Sequence, residues 1–384
     1  MSADYDILVI GGGIQGAGCA QAAAAAGYSV AVLEKYDRPG LGTSCKSSKL
    51  IHGGLRYLET AQIKLVHECL SERSLLLRNA PHLVTLEPFY IPVYKSSIRK
   101  PWMIWLGLAL YTLLSGKRFS KIPKKRWGEL DGLKTNNLLA VYQYYDGQTD
   151  DQRLTESVMR SAQQLGAKFI SSAELVSAQC SAGLCEAVYR QGGEQKHISA
   201  KIIINAAGPW VNLVLQRITP KPPPADMDLV LGTHIIVPGV LEQGMYYMEA
   251  PQDQRAVFVI SRSEGIMIGT TETTFHGSPD QVEPPEPDIK YLIEVYNHYF
   301  QNPICRSDVK RAFAGLRVLP TGGDAFSRSR EIMIHTDDIN PQVFTVYGGK
   351  LTAYRATGER LIKLVKHLLP KREQQADVKC LRLP

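Results

Sequence analysis

Short apolar runs alternate with amphipathic stretches along this chain, and the first thirty residues already set out a complete structural unit. Ile7, Leu8, Val9 and Ile10 form an uninterrupted apolar run of the length expected for a buried parallel strand. Three spaced glycines follow, then a stretch ending in the alanines at 22–26 that predicts a helix, then a second strand closed by Glu34. Farther on, LTESVMRSAQQLGA predicts a helix, FISSAELVSAQCS and CEAVYR a strand pair, and Ile202, Ile203 and Ile204 a buried strand running into the small residues 206–208. GTHIIVP at 232–238 predicts another strand, and LTAYRATGERLIKLVKHLL a helix opened by Lys350. Proline-rich segments at 220–224 and 284–287 mark crossings or surface loops, and no repeat occurs at solenoid periods.

The glycines carry chemistry. Gly11, Gly13 and Gly16 stand at G-x-G-x-x-G spacing after a strand and before a helix. Gly11 allows the tight turn, Gly13 lets a pyrophosphate approach the backbone, and Gly16 lets helix and strand pack closely. Glu34, at the end of the second strand, is placed to accept hydrogen bonds from an adenosine ribose. The next segment, GTSCKSSKLIHGGLRYLE at 42–59, brings Thr43, Ser44, Ser47, Ser48, Lys49, His52, Gly53 and Gly54 close behind this unit, with apolar residues interleaved as in a partly buried loop. Such a loop can wrap a second side of a planar polar ligand. No second G-x-G-x-x-G appears downstream, so no separate nicotinamide domain is expected and the hydride donor is the organic substrate itself. The fold class expected is α/β and two-lobed: a Rossmann-like FAD-binding domain, discontinuous over 1–80, 150–220 and 330–384, and a substrate-binding domain on an antiparallel sheet over 81–149 and 221–329.

KLIHGGLRYLE is the most specific part of a wider likeness, which continues in order through RSLLLRNAPHLV, KPWMIWLGLALY, TDDQRL, NAAGPWV, GTHIIVP, IGTTE and GGKLTAYR. With these motifs the chain resembles the FAD-dependent, quinone-linked glycerol-3-phosphate dehydrogenases, within the D-amino-acid-oxidase-like flavoproteins. The resemblance implies non-covalent FAD and oxidation of sn-glycerol 3-phosphate to dihydroxyacetone phosphate, with electrons passed to membrane quinone. Bacterial members usually continue into a further helical domain, which is expected to be absent here.

Hydride loss from a secondary alcohol needs a base at the hydroxyl and cations at the substrate's anionic end. His234 is the first choice for the base, with His52 as the alternative base or a flavin partner. Arg317, in AGLRVLP, is the expected partner of an anion, because an inward guanidinium needs one. The resemblance adds Arg56, Tyr57 and Arg330 as phosphate ligands. Lys350, on the substrate or the flavin, opens a helix whose positive N-terminal end would favour reduced flavin. Cofactor contacts are expected from Gly11, Gly13, Gly16, Glu34, Thr43, Ser44, Ser48, Lys49, Gly53, Gly208, Gly348, Gly349, Lys350, Leu351 and Thr352.

Composition narrows the setting. Seven cysteines with no C-x-x-C pair predict reduced thiols, no disulfide framework, no metal site and a cytoplasmic protein, with Cys45 a small packed residue. No secretory leader precedes the first strand. The net charge of +7 is concentrated at Lys117, Arg118, Lys121, Lys124, Lys125 and Arg126, next to the apolar run PWMIWLGLALYTLL. That run is shorter than the ~20 residues of a membrane span but suits an interfacial element, so 99–126 is expected to meet an anionic membrane surface on the inner face of the cytoplasmic membrane; a core helix beside a solvated loop is the alternative. Nothing accompanies the basic cluster that would make it a nucleic-acid site. Oligomeric state is not readable. An oxidase of amines or 2-hydroxy acids and a noncatalytic flavin-binding module stay open beside the dehydrogenase.

Overall fold

The structure, a computed structural model, describes residues 3–59, 62–322, 332–338 and 341–384. Its first sheet grows around β1 (Tyr5–Ile10), which pairs in parallel with β2 (Val30–Leu33) on one side and with the strand Glu194–Asn205 on the other, so that Ile7 lies between Val30 and Ile202. Lys168–Ile170 extends the parallel set beyond β2, and Val343–Tyr347 extends it beyond Glu194–Asn205. Helix α1 (Ile14–Ala25) is buried along its whole length, which its alanines and glycines permit. The helices Asp151–Gln164 and Tyr354–Val365 pack directly on it. The parallel strands are almost unbroken aliphatic runs because helices cover them.

The second sheet is mainly antiparallel. Val84–Tyr94 and Leu138–Thr149 form its longest hairpin-like pair, and Met227–Val237 lies between Arg311–Pro320 on one side and Gly265–Gly269 and Thr273–Phe275 on the other. Helix Glu286–Tyr299 covers one face with Leu292, Val295 and Tyr296. Helices Ile63–Asn79 and Pro101–Ser115 cover the other, packing Val66, Leu70, Leu108 and Tyr111 against Phe89, Ile91 and Tyr142. The short strand Leu50–Ile51 pairs with Leu138–Thr149. The chain therefore crosses to the second sheet right after the first glycine unit, and 52–57 is carried to the junction of the two sheets.

The expected elements at 154–167, 169–181 and 185–190 are found as Asp151–Gln164, Ala173–Ser181 and Leu184–Gln191. Two expectations need correction. The last helix begins at Tyr354 rather than directly after Lys350, because 351–353 form a turn first. Cys180 and Cys185 form a disulfide, since the register of their hairpin places them directly opposite each other. An odd cysteine count cannot reveal such a pairing.

Candidate active site

A cleft of about 410 Å³ runs along the junction of the two sheets, lined at one end by the glycine unit and at the other by residues of both sheets. At the first end the Gly11 amide donates to Leu33 O (2.8 Å) with φ +102°, and the Gly12 amide donates to Glu34 Oε2 (2.5 Å). Gly16 sits behind the turn, where a Cβ would stand 1.9 Å from Gly11 O. Close approach, not chain flexibility, therefore demands glycine there. Glu34 is buried and also accepts from the Tyr36 amide at 2.9 Å. Burial raises its pKa, and the Tyr36 and Gly12 amides oppose that shift.

The 42–59 loop is pinned along its length. Thr43 Oγ1 donates to Leu316 O (2.9 Å), tying the loop to the second sheet, and Ser44 Oγ accepts from the Ile14 amide (2.9 Å) at the start of α1. Ser47 donates to Asp151 Oδ2 (2.7 Å), and Lys49 is held by Asp151 and by Cys45 O. The Gly53 amide reaches both Tyr111 Oη and Asp146 Oδ1 at 3.1 Å. Asp146, Arg73 and Tyr111 are nearly inaccessible, and Arg73 Nη1 donates to Asp146 at 2.7 Å. Desolvation raises the Asp146 pKa, opposed first by Arg73. A buried carboxylate joined to a buried guanidinium thus fixes the loop that carries His52 to Tyr57.

These contacts sort the expected residues. Gly11, Gly13, Glu34, Thr43, Ser44, Ser48, His52, Arg56, Tyr57, Gly208, Arg317, Gly348, Gly349, Lys350, Leu351 and Thr352 all line the cleft. Gly16, Lys49, Gly53 and His234 stand behind its wall. Arg330 falls outside the described residues. Lys350 Nζ sits 4.2 Å from the centre of the Tyr57 ring, a cation–π contact, and 3.6 Å from Cys69 Sγ.

His234 is 1% exposed and stacks on Phe313 at 5.0 Å. Its Nε2 lies 2.9 Å from Ser48 Oγ, so its access to the cleft is through that hydroxyl. Gly269 is opposite in the sheet, and a Cβ there would come within 2.2 Å of the imidazole. Burial first, then the charges of Arg317 and Lys49, push the His234 pKa down to about 3, leaving a neutral imidazole. Arg317 Nη1 donates to Glu272 Oε1 (3.1 Å) and Nη2 to Thr270 Oγ1 (3.3 Å). Burial and the neighbouring Arg56 pull its pKa to about 10, so it stays protonated at neutral pH.

Sequence reasoning overlooked several members of this site. Thr270 and Glu272 lay within the IGTTE motif without an assigned role, and Asp146, Asp151, Lys35, Trp210 and Asp280 were not singled out as site residues. Asp146 and Arg73 are 73 residues apart and meet only in three dimensions. Hydroxyl and glycine spacing could not reveal that pair.

The site fits an FAD. A buried carboxylate ends the second strand, glycines and the first turn of α1 border the cleft, and the second wall is polar and cationic. Residues 6–364 match the family model described as FAD dependent oxidoreductase, and the chain belongs to that family. It is an FAD-dependent enzyme of the oxidoreductase class. Among its relatives, the glycerol-3-phosphate dehydrogenase of Pseudomonas aeruginosa is 38% identical over 364 residues, covering 92% of this chain and 70% of that one. The D-erythritol 1-phosphate dehydrogenase of Brucella abortus is 35% identical, covering 95% of this chain and 74% of its own length. In three dimensions the chain is similar to the glycerol-3-phosphate dehydrogenase of Bacillus halodurans complexed with FAD, with a TM-score of 0.79 at 27% identity, over 99% of this chain and 67% of that one. The resemblance first read from KLIHGGLRYLE and its companions is thereby borne out.

On the same face of the second sheet as the cleft, helix Pro101–Ser115 turns Leu108 and Tyr111 inward and leaves Trp102 67%, Trp105 53%, Leu106 57% and Leu113 80% exposed. Lys117, Arg118, Lys121, Lys124 and Lys125 next to it are exposed, whereas Arg99 is engaged by Glu59 and Glu249. Among the described residues no helix is long and apolar enough to cross a membrane.

Proposed function

We propose that this enzyme oxidises sn-glycerol 3-phosphate to dihydroxyacetone phosphate and passes the electrons to a membrane quinone. The observation that carries the reading is a single cleft with a dinucleotide cradle at one end and Arg56, Arg317 and Lys350 at the other. These three of the cations that line the cleft suit a phosphate monoester, which carries about −1.5 to −2 at neutral pH. Arg330 is assigned to the same anion by the family resemblance. The bound flavin supplies the hydride acceptor. The protein's part is to hold the phosphate, orient the carbon and remove the hydroxyl proton. The neutral imidazole of His234 is the proposed base, reached through Ser48 Oγ, with His52 on the cleft wall as the alternative. Residues 1–80, 150–220 and 330–384 are assigned to the cofactor domain, 81–149 and 221–329 to the substrate domain. The exposed Trp102, Trp105 and Leu106 beside five exposed basic residues support docking of 99–126 on an anionic bilayer.

Anaerobic mixing of the FAD-loaded enzyme with candidate substrates tests the reading. Bleaching of the flavin by sn-glycerol 3-phosphate, with unphosphorylated glycerol, sarcosine and 2-hydroxyglutarate inert, is the expected result. The similarity to a D-erythritol 1-phosphate dehydrogenase favours a second reading, a longer phosphorylated polyol, and that compound belongs in the same panel. Faster bleaching by it would move the assignment within the phosphate esters; equal rates with glycerol and its phosphate would refute the phosphate site altogether.

A further inference from the structure

The residues immediately after Glu34 do something the glycine unit does not require. Lys35 Nζ lies 2.5 Å from Asp280 Oδ1, and the Trp210 Nε1–H donates to the same oxygen at 3.0 Å. Lys35 Nζ also sits 3.8 Å from the centre of the Trp210 ring, and the Tyr36 ring meets that indole edge-on at 6.4 Å. Lys35 and Tyr36 follow β2, and Trp210 ends the turn after Glu194–Asn205, so all three sit at the strand ends of the first sheet. Asp280 does not. It lies in the loop between the strand Thr273–Phe275 and the helix Glu286–Tyr299, elements of the second lobe. Lys35, Tyr36, Trp210 and Asp280 all line the cleft beside Glu34.

We propose that Asp280 is a cofactor-positioning residue: it closes a clasp on Lys35 and Trp210 across the two lobes at the adenosine end of the cleft and slows the release of FAD. The inference rests on the FAD reading of the cleft. The side chains of Lys35 and Asp280 are 28% and 57% exposed, and ion pairs so wetted contribute little to folding. Their geometry serves another end. One carboxylate oxygen gathers an ammonium and an indole N–H, and the ammonium in turn covers the indole, so three side chains from two lobes hold one another at the wall of the cofactor site. Lys35 draws the Asp280 carboxyl below its usual pKa, with Trp210 adding to the effect, so the clasp stays charged at neutral pH. An exposed attraction of this kind weakens with salt.

The test uses the FAD-loaded enzyme and reads release of FAD to an excess of a trapping apoflavoprotein. Asp280→Asn keeps the shape and removes the charge, and is expected to release FAD about two- to fivefold faster, the range of one exposed pair. Trp210→Phe keeps an aromatic ring and loses the N–H, and is expected to accelerate release by a smaller factor. Raising NaCl from about 0.05 to about 0.5 M should speed release from the wild type but hardly from Asp280→Asn. The melting temperature of the apoprotein separates a clasp from a merely structural contact: it should be the same with and without the substitution. Equal release rates and equal salt responses in wild type and Asp280→Asn would overturn the clasp. Failure of the wild type to bind FAD at all would instead overturn the cofactor reading on which it rests.

Discussion

The two ends of the cleft are built in opposite ways. At the cofactor end, one contiguous stretch, Tyr5 to Glu34, supplies the strand, the turn, the helix start and the carboxylate, and the hydrogen bond from the Gly12 amide to Glu34 closes within it. At the anionic end Arg56 arrives from the crossing loop, Arg317 from the strand Arg311–Pro320, Glu272 from near Thr273–Phe275, and Lys350 from the turn before the last helix. The first end is a property of local sequence; the second exists only once both sheets have formed. Damage at the cofactor end should therefore act through sterics and abolish the ligand, whereas damage at the anionic end should act through charge and scale one rate.

The sharpest contrast is expected at Gly16. Gly16→Val places a side chain where even a Cβ would be 1.9 Å from Gly11 O, and the purified protein should carry essentially no flavin, measured as flavin absorbance per chain. A yellow, stoichiometrically loaded Gly16→Val would break the view that close packing governs this end. Arg317→Ala comes next. A charge-assisted hydrogen bond contributes about 1.5 to 3 kcal/mol, so the rate constant for flavin reduction divided by substrate Kd should fall about ten- to a hundredfold, with flavin content intact. Arg317→Lys should recover only part of this, because an ammonium lacks the planar fork that meets Glu272 and Thr270. Non-covalent binding is checked on the same preparations, since acid or heat should release all the flavin.

An effect of another kind, on stability and not on rate, is expected from His234. Its pKa is about 6.5 in the unfolded chain and about 3 in the folded one, so the unfolded state binds the extra proton between those values. The stability this group contributes is fully present above about pH 6.5 and is lost as pH falls towards 3. In denaturant titrations, the stability of the wild type relative to His234→Gln should decline from pH 7 to about pH 4; a constant difference would mean that the imidazole is not held neutral by its surroundings. The smallest effect on chemistry should come from the outer face of Pro101–Ser115. Polar residues at Trp102, Trp105 and Leu106 should reduce binding to anionic vesicles and quinone turnover, while anaerobic flavin reduction stays within about twofold. Unchanged vesicle binding would return that helix to an ordinary packing role.

The same contrast explains what could be read before folding. Gly11, Gly13, Gly16 and Glu34 were legible because strand, turn and helix periodicities impose their spacing directly. Arg317 was legible for a different reason: an arginine among Ala314, Gly315, Leu316 and Val318 invites a partner. Its actual partner, Glu272, was invisible, since the strands that bring them together pair through Met227–Val237, with no local signal. His234 was singled out, but its retreat behind Ser48 follows from strand orientation and from the space left by Gly269. The disulfide and the delayed start of the last helix depend on hairpin register and on how 351–353 turn, and composition carries neither.

One contact described above joins features that otherwise look remote. Tyr111 lies on the inner face of the helix whose outer face bears the exposed tryptophans, and its hydroxyl receives the Gly53 amide between His52 and Gly54. Outer surface and cleft are thus separated by this helix, roughly 10 Å across, and by the 52–57 segment it supports. An electron acceptor resting against that helix and a substrate lying beside His52 would be next-door neighbours, although neither could see the other.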